Sequence, residues 1–258
     1  FDYLMREEFI KKNPMNAVPT IKKSNYLAKQ NKEVLPVCET ITVFTDEEIE
    51  KFKAEAYKKY PSGKPKHNQA SAYILMLNTG LRTAEALGLI NSDIDLEKKV
   101  MHIQRGVKEA QKRDGTERKS GREIVVGKLK TASSKRIVPL NETAIQAIIE
   151  LRNERYFGED APLIPDADGN FTRPLNLRKR FYSILDAAGI EKKGLHSLRH
   201  TFATKLVTGV RADDGTVKAL TPRQVADLLG HTTSEITEMY YVKRNTDMLL
   251  GVTNGFEL

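Results

Sequence analysis

The chain has 258 residues, 40% of them hydrophobic and 29% charged, which is enough for one large domain or for one domain plus a fragment. No apolar run approaches the ~18 residues of a membrane span, the single Cys38 excludes an internal disulfide and suits a reducing compartment, and the absence of a Gly-rich phosphate loop argues against nucleotide chemistry. The formal charge of +8 is modest, so its placement along the chain matters more than its size.

The opening segment FDYLMREEFIKKNPM reads as a short helix stopped at Asn13-Pro14, and residues 16–42 lack periodicity and read as a linker. Thr45-x-x-Glu48 is a capping-box pattern that opens a helix to about Tyr57. An almost wholly apolar helix over 69–79 ends at Gly80, and a short helix follows over 83–89. Strand-like runs come next at 100–105, 123–127 and 136–140, the first two separated by a charged loop over 106–122 with a turn signal at Asp114-Gly115. Residues 105–136 hold eleven basic side chains: Arg105, Lys108, Lys112, Arg113, Arg118, Lys119, Arg122, Lys128, Lys130, Lys135 and Arg136. Against them stand the four acids Glu109, Asp114, Glu117 and Glu123, leaving +7 in this stretch. It reads either as a solvated hairpin or as a surface laid against nucleic-acid phosphates.

Helices then dominate. Asn141 caps one that runs to about Tyr156, Gly189 closes another over 176–188, and residues 197–207 are amphipathic. Thr221-Pro222 opens a helix that Gly230 ends, and a last helix begins near Ser234. The expectation is a mainly α protein with one small antiparallel sheet (α+β).

Four segments carry candidate chemistry: TGLRTAEALGL around Arg82, KLKTASSKRIVPL around Lys130, HSLRHTFATKL from His196, and LLGHTTSEITEMYY ending at Tyr240 and Tyr241. Each alone is weak, but together they supply two arginines, a lysine, two histidines and a tyrosine, an inventory suited to phosphodiester transfer. Guanidinium forks match two non-bridging oxygens and stay charged at any working pH, so they stabilise charge where it develops. A phenol of pKa ~10 becomes a nucleophile if nearby cations help it lose its proton. A lysine can protonate the departing 5′-oxygen.

In this order and over most of the chain, the segments resemble the tyrosine recombinase (phage integrase) family. The resemblance implies that family's catalytic-domain fold and a pocket of Arg82, Lys130, His196, Arg199 and His231, with Glu85 supporting it. Tyr240 and Tyr241 are adjacent, and successive helical residues point about 100° apart. Tyr240 is the expected nucleophile because Glu238-Met239-Tyr240 fits the family's shorter spacing, with Tyr241 the alternative. VFTDEEIEKFKAEA is similar to the family's opening catalytic helix, and FDYLMREEFIKKNP to the last helix of the core-binding domain that precedes it. The implied organisation is a remnant of that domain over 1–16, a linker over 17–42, the catalytic domain over 43–242 and a tail over 243–258.

The resemblance further implies strand cleavage and rejoining through a covalent 3′-phosphotyrosine, integrating or excising a mobile element. Among subgroups the chain looks most like integrases of conjugative transposons and temperate phages. Expected partners are duplex DNA, gripped by Lys108, Lys112, Arg113, Arg118, Lys119, Arg122, Lys128 and Lys135, other copies of the chain in a dimer-to-tetramer synapse, and accessory excision or DNA-bending proteins. No cofactor or membrane is expected, and the location is the bacterial cytoplasm. A metal is not expected either: His196 and His200 are four apart, but Ser197 stands where a zinc protease motif needs Glu. The stretch TGVRADDGTVKALTPRQ is longer than the family's usual connection and is expected to hold an insertion in an exposed loop. Two rival readings are a type IB topoisomerase and a DNA-binding regulator without catalysis.

Overall fold

The structure, a computed structural model, describes residues 42–114, 117–128, 135–211 and 216–230. Lys130, His231, Tyr240, Tyr241, the expected core-binding remnant and linker, residues 212–215 of the expected insertion, the last helix and the tail all lie outside the described residues.

Seven helices are present among the described residues. α1 (Asp46–Ala56) begins as its sequence requires: Thr45 accepts from the Glu48 amide and the Glu48 carboxylate accepts from the Thr45 amide. α2 (Ser71–Thr79) is buried along nearly its whole length, which explains its uninterrupted apolar sequence, and Gly80 ends it in the left-handed region at φ 62°. A Cβ at Gly80 would fall 2.5 Å from Phe202 Cδ1 and 2.7 Å from Leu229 Cδ2, so only glycine fits there. α3 (Thr83–Gly88) follows at once. α4 (Glu142–Glu154) is capped by Asn141, and α5 (Pro174–Ala187) starts at its proline, two residues earlier than the sequence suggested. α6 (His196–Thr208) and α7 (Pro222–Leu229) complete the set, the latter with a Thr221–Gln224 capping box and Gly230 in the left-handed conformation.

The core gathers on α2, which packs against α4 and α6. Phe44, Phe52, Tyr73 and Phe181 meet edge-on or tilted, with Tyr73 and Phe181 centroids 5.3 Å apart, and the Tyr73 hydroxyl donates to the Leu177 carbonyl at 2.8 Å. A second, small cluster of Ala203, Val225 and Leu229, backed by Phe202, Leu206 and Leu220, fastens α7 to α6.

The β structure is more divided than the single sheet expected. β1 (Ile94–Asp95), β2 (Val100–Ile103) and β5 (Arg136–Pro139) form one antiparallel sheet in the order β1-β2-β5. β3 (Arg105–Asp114) and β4 (Glu117–Lys128) form a separate long hairpin. The stretch expected as a charged loop over 106–122 is therefore largely strand. Its polar alternation hides it, because no apolar face marks a strand whose outer part is solvated on both sides. The base of the hairpin sits tightly on α3: a Cβ at Gly88 would lie 2.7 Å from the Arg105 carbonyl oxygen. A third, very short pair, β6 (Val210–Arg211) with β7 (Val217–Lys218), flanks the inserted segment expected as a plain loop.

Candidate active site

The end of α2, the start of α3, the start of α6 and the end of α7 come together at one place. Gly80 turns the chain so that Arg82 and Glu85 follow directly on α3, and α6 brings His196 and Arg199 to the same side. The C-terminus of α7 exposes carbonyl groups that its own helix cannot satisfy.

Those carbonyls are met by arginines. Arg199, only 2% exposed, donates to the Gly80 oxygen at 2.6 Å and the Leu229 oxygen at 2.8 Å. Arg82 reaches the same Leu229 oxygen at 3.5 Å and the Gly230 oxygen at 3.4 Å. The two guanidinium groups thus sit side by side at a helix C-terminus, where the backbone dipole favours positive charge. The Arg82 side chain retains 36% of its surface open to solvent, so it faces outward while Arg199 forms the floor.

Glu85 is 2% exposed and is surrounded by donors. One oxygen accepts from Arg82 Nη1 at 2.7 Å and Arg136 Nη1 at 3.1 Å; the other accepts from the Arg82 backbone amide at 2.9 Å and Arg136 Nη2 at 2.9 Å. Burial pushes this carboxyl up, but the Arg136 and Arg82 bonds outweigh it and hold it at about 2. Arg136 also donates from Nε to the Leu228 oxygen at 2.8 Å. Sequence reasoning counted Arg136 only among the basic residues. The missed signal is strand parity: Arg136 shares a face with buried Val138 while Ile137 points out at 58% exposure, and a cation on an inward face needs an acid partner.

His196 opens α6 beside these groups. Burial, then the neighbouring charges of Arg199 and Arg82, lower its pKa and favour the neutral ring. His200 packs edge-on against it, centroids 4.7 Å apart, and is held at about 4 by the loss of solvent around it, then by His196 and Arg199. Among the described residues no three metal-ligating side chains converge.

His196 also borders a cleft of about 570 Å³ whose walls include Lys108, Arg178 and Tyr182. A larger cavity of about 840 Å³, bordered by Lys64 and His67, lies at the other end of α2, about 13 Å from Gly80 by helix rise, and is remote from the arginines. Of the basic residues expected to hold DNA, Lys108, Lys112, Arg122 and Lys135 are exposed. Register places Lys108, opposite Val125, on one hairpin face and Arg122, opposite Gln111, on the other, so the charge is not confined to one stripe. Arg113, Arg118, Lys119 and Lys128 lie on the two strands.

This architecture recurs in solved DNA recombinases. The Tn1549 transposon integrase in complex with transposon right end DNA superimposes with a TM-score of 0.64 at 20% identity, covering 97% of this chain and 75% of that one. The XerA recombinase gives 0.56 at 17% identity, covering 98% and 72%. Residues 42–247 match the phage integrase family, and the chain belongs to that family. Among its relatives, a tyrosine recombinase XerC-like protein of Caldanaerobacter subterraneus subsp. tengcongensis is 31% identical over 254 residues, 93% of this chain and 58% of the relative. The XerC of Thermodesulfovibrio yellowstonii is 26% identical over 242 residues, 93% of this chain and 66% of that protein. The chain therefore spans about three fifths of the length of such relatives.

Proposed function

We propose that this chain is the catalytic part of a site-specific DNA recombinase that cuts and rejoins strands through a 3′-phosphotyrosine. The observation that carries the reading is the convergence of Arg82 and Arg199 on one carbonyl at the end of α7, one residue before Gly230 and shortly before His231 and the two tyrosines. Two guanidinium groups at that point offer a paired cationic seat for the non-bridging oxygens of a phosphate.

In this mechanism the Tyr240 oxygen attacks phosphorus as it gives up its proton to solvent water, and the bond to the 5′-oxygen breaks. Lys130, a few residues before β5, delivers a proton to that oxygen. Arg82 and Arg199 bear the charge that grows on the non-bridging oxygens. Neutral His196 donates a hydrogen bond to the same phosphate, with His231 beside it. The reverse attack by a 5′-hydroxyl restores the phosphodiester and releases the phenol, so the ester bond energy is retained and no cofactor is consumed.

The hairpin lysines and arginines track the duplex backbone. The remainder of the reading is integration or excision of a mobile element, by several copies of the chain in a synapse aided by accessory proteins, in the cytoplasm. The segment over 1–16 belongs to a core-binding domain, residues 17–42 link it to the catalytic domain over 43–242, and the tail over 243–258 follows. Among the described residues no helix is long and apolar enough to cross a membrane. Tn1549 integrase, a transposon enzyme by name, supports the mobile-element reading, and the XerC-like relatives, tyrosine recombinases by name, support recombination through a tyrosine.

The test is covalent trapping on a nicked suicide duplex. The chain should form a protein–DNA adduct, Tyr240→Phe should abolish it, and Tyr241→Phe should retain it. An adduct lost only in Tyr241→Phe moves the nucleophile by one position; no adduct with any target duplex removes the enzymatic reading.

A further inference from the structure

Arg136 lies at a junction. It begins β5 directly after the segment holding Lys130, and its side chain is 7% exposed. Its guanidinium makes a paired contact with both Glu85 oxygens, at 3.1 and 2.9 Å, while Nε donates to the Leu228 oxygen at 2.8 Å. One planar group therefore ties together the strand leaving the Lys130 segment, the acid of α3 and the end of α7. A lysine could supply the charge, but not three donors in a fixed plane.

Glu85 in turn fixes Arg82, through Nη1 at 2.7 Å and the backbone amide at 2.9 Å. Unopposed, a buried carboxylate beside Arg82 would draw that guanidinium inward onto both of its oxygens. With Arg136 occupying one lone pair on each oxygen, Glu85 has a single side-chain contact left for Arg82 and leaves its other terminal nitrogen turned toward Gly230.

We propose that Arg136 is a positioning residue for strand cleavage: by clamping Glu85 and the end of α7 together it sets the reach and orientation of the Arg82 fork. This rests on the recombinase reading above. Arg136 does not touch the phosphate; it acts through Glu85 and through the backbone that leads to His231.

The experiment measures single-turnover adduct formation on the suicide duplex, duplex affinity, and the pH profile of cleavage for the wild-type chain, Arg136→Met, Arg136→Lys, Glu85→Gln and the Arg136→Met/Glu85→Gln double variant. Loss of the clamp should slow cleavage on the order of 10- to 100-fold with little change in affinity. Arg136→Lys should recover only part of the rate. In Arg136→Met the buried Glu85 loses its main counter-charge, so cleavage should acquire a new fall toward acid pH that wild type lacks. That limb should vanish in the double variant, where no carboxyl remains to titrate. Arg136 as a mere stabiliser would lower the melting temperature without creating the limb. Wild-type cleavage rates in a folded Arg136→Met, or reduced rates with an unchanged pH profile, overturn the proposal. Should Arg136→Met not fold, a wild-type rate in Arg136→Lys overturns it instead. A wild-type chain that forms no adduct overturns the recombinase reading itself and this proposal with it.

Discussion

Glu85 serves two guanidinium groups with two oxygens, and the cost of removing it follows from what it would leave behind. Glu85→Ala strands Arg136 almost fully buried without its acid, and breaking such a pair from one side costs about 3 kcal/mol or more. Denaturant unfolding should show that destabilisation, and a change below about 1 kcal/mol would mean the cluster is solvated. Arg82→Lys keeps the charge and loses the fork, so cleavage should drop sharply while duplex affinity persists; equal cleavage would remove Arg82 from the phosphate. At this scale much was legible. Arg82, Glu85, His196 and Arg199 stand in short segments whose residue types suggest phosphate chemistry, and the fold brings all four together. Arg136 was not, because its partner lies 51 residues away and only the pairing of β5 with β2 turns it inward.

Helix ends were readable because their signals are local. The Thr45, Asn141 and Thr221 caps and the Gly80 and Gly230 stops act within a few residues, and each lies where the sequence places it. The hairpin itself and its 123–127 strand were legible, but its outer part over 106–122 was hidden, because Lys108, Lys112 and Arg122 stand in a polar stretch with no apolar face to mark a strand. Its exposed charge makes a quantitative prediction. Replacing Lys108, Lys112 and Arg122 by Ala should flatten the dependence of log K on log salt by about 0.9 for each phosphate left without its cation. An unchanged slope in filter or fluorescence titrations would mean that the hairpin is a solvated arm. α7 is held by a small apolar cluster, so Leu229→Ala should cost roughly 2–5 kcal/mol and loosen the carbonyls that Arg82 and Arg199 share.

For the whole molecule, His200 and Glu85 pull stability in the same direction with pH. His200 is held neutral in the fold, so between the ordinary value of 6.5 and about 4 the unfolded chain binds more protons, and His196, lowered in the same direction, adds to the effect. Glu85, held at about 2, adds the same effect between 4.5 and 2. Stability should therefore fall steadily as pH drops below about 6.5, and His200→Asn should flatten the upper part of that decline in a thermal melt series. A melting temperature that is constant or rises between pH 7 and 5 would contradict a neutral His200 in the fold. In the proposed reaction, fixed cations meet the charge of a single phosphate as a tyrosine attacks it. The most direct measurement compares wild type with Arg82→Ala on two suicide duplexes, one with a normal scissile phosphate and one with a neutral methylphosphonate in its place. Arg82→Ala should lose much of its cleavage on the charged phosphate and far less on the neutral one; an equal loss on both would mean that Arg82 does not meet the phosphate charge.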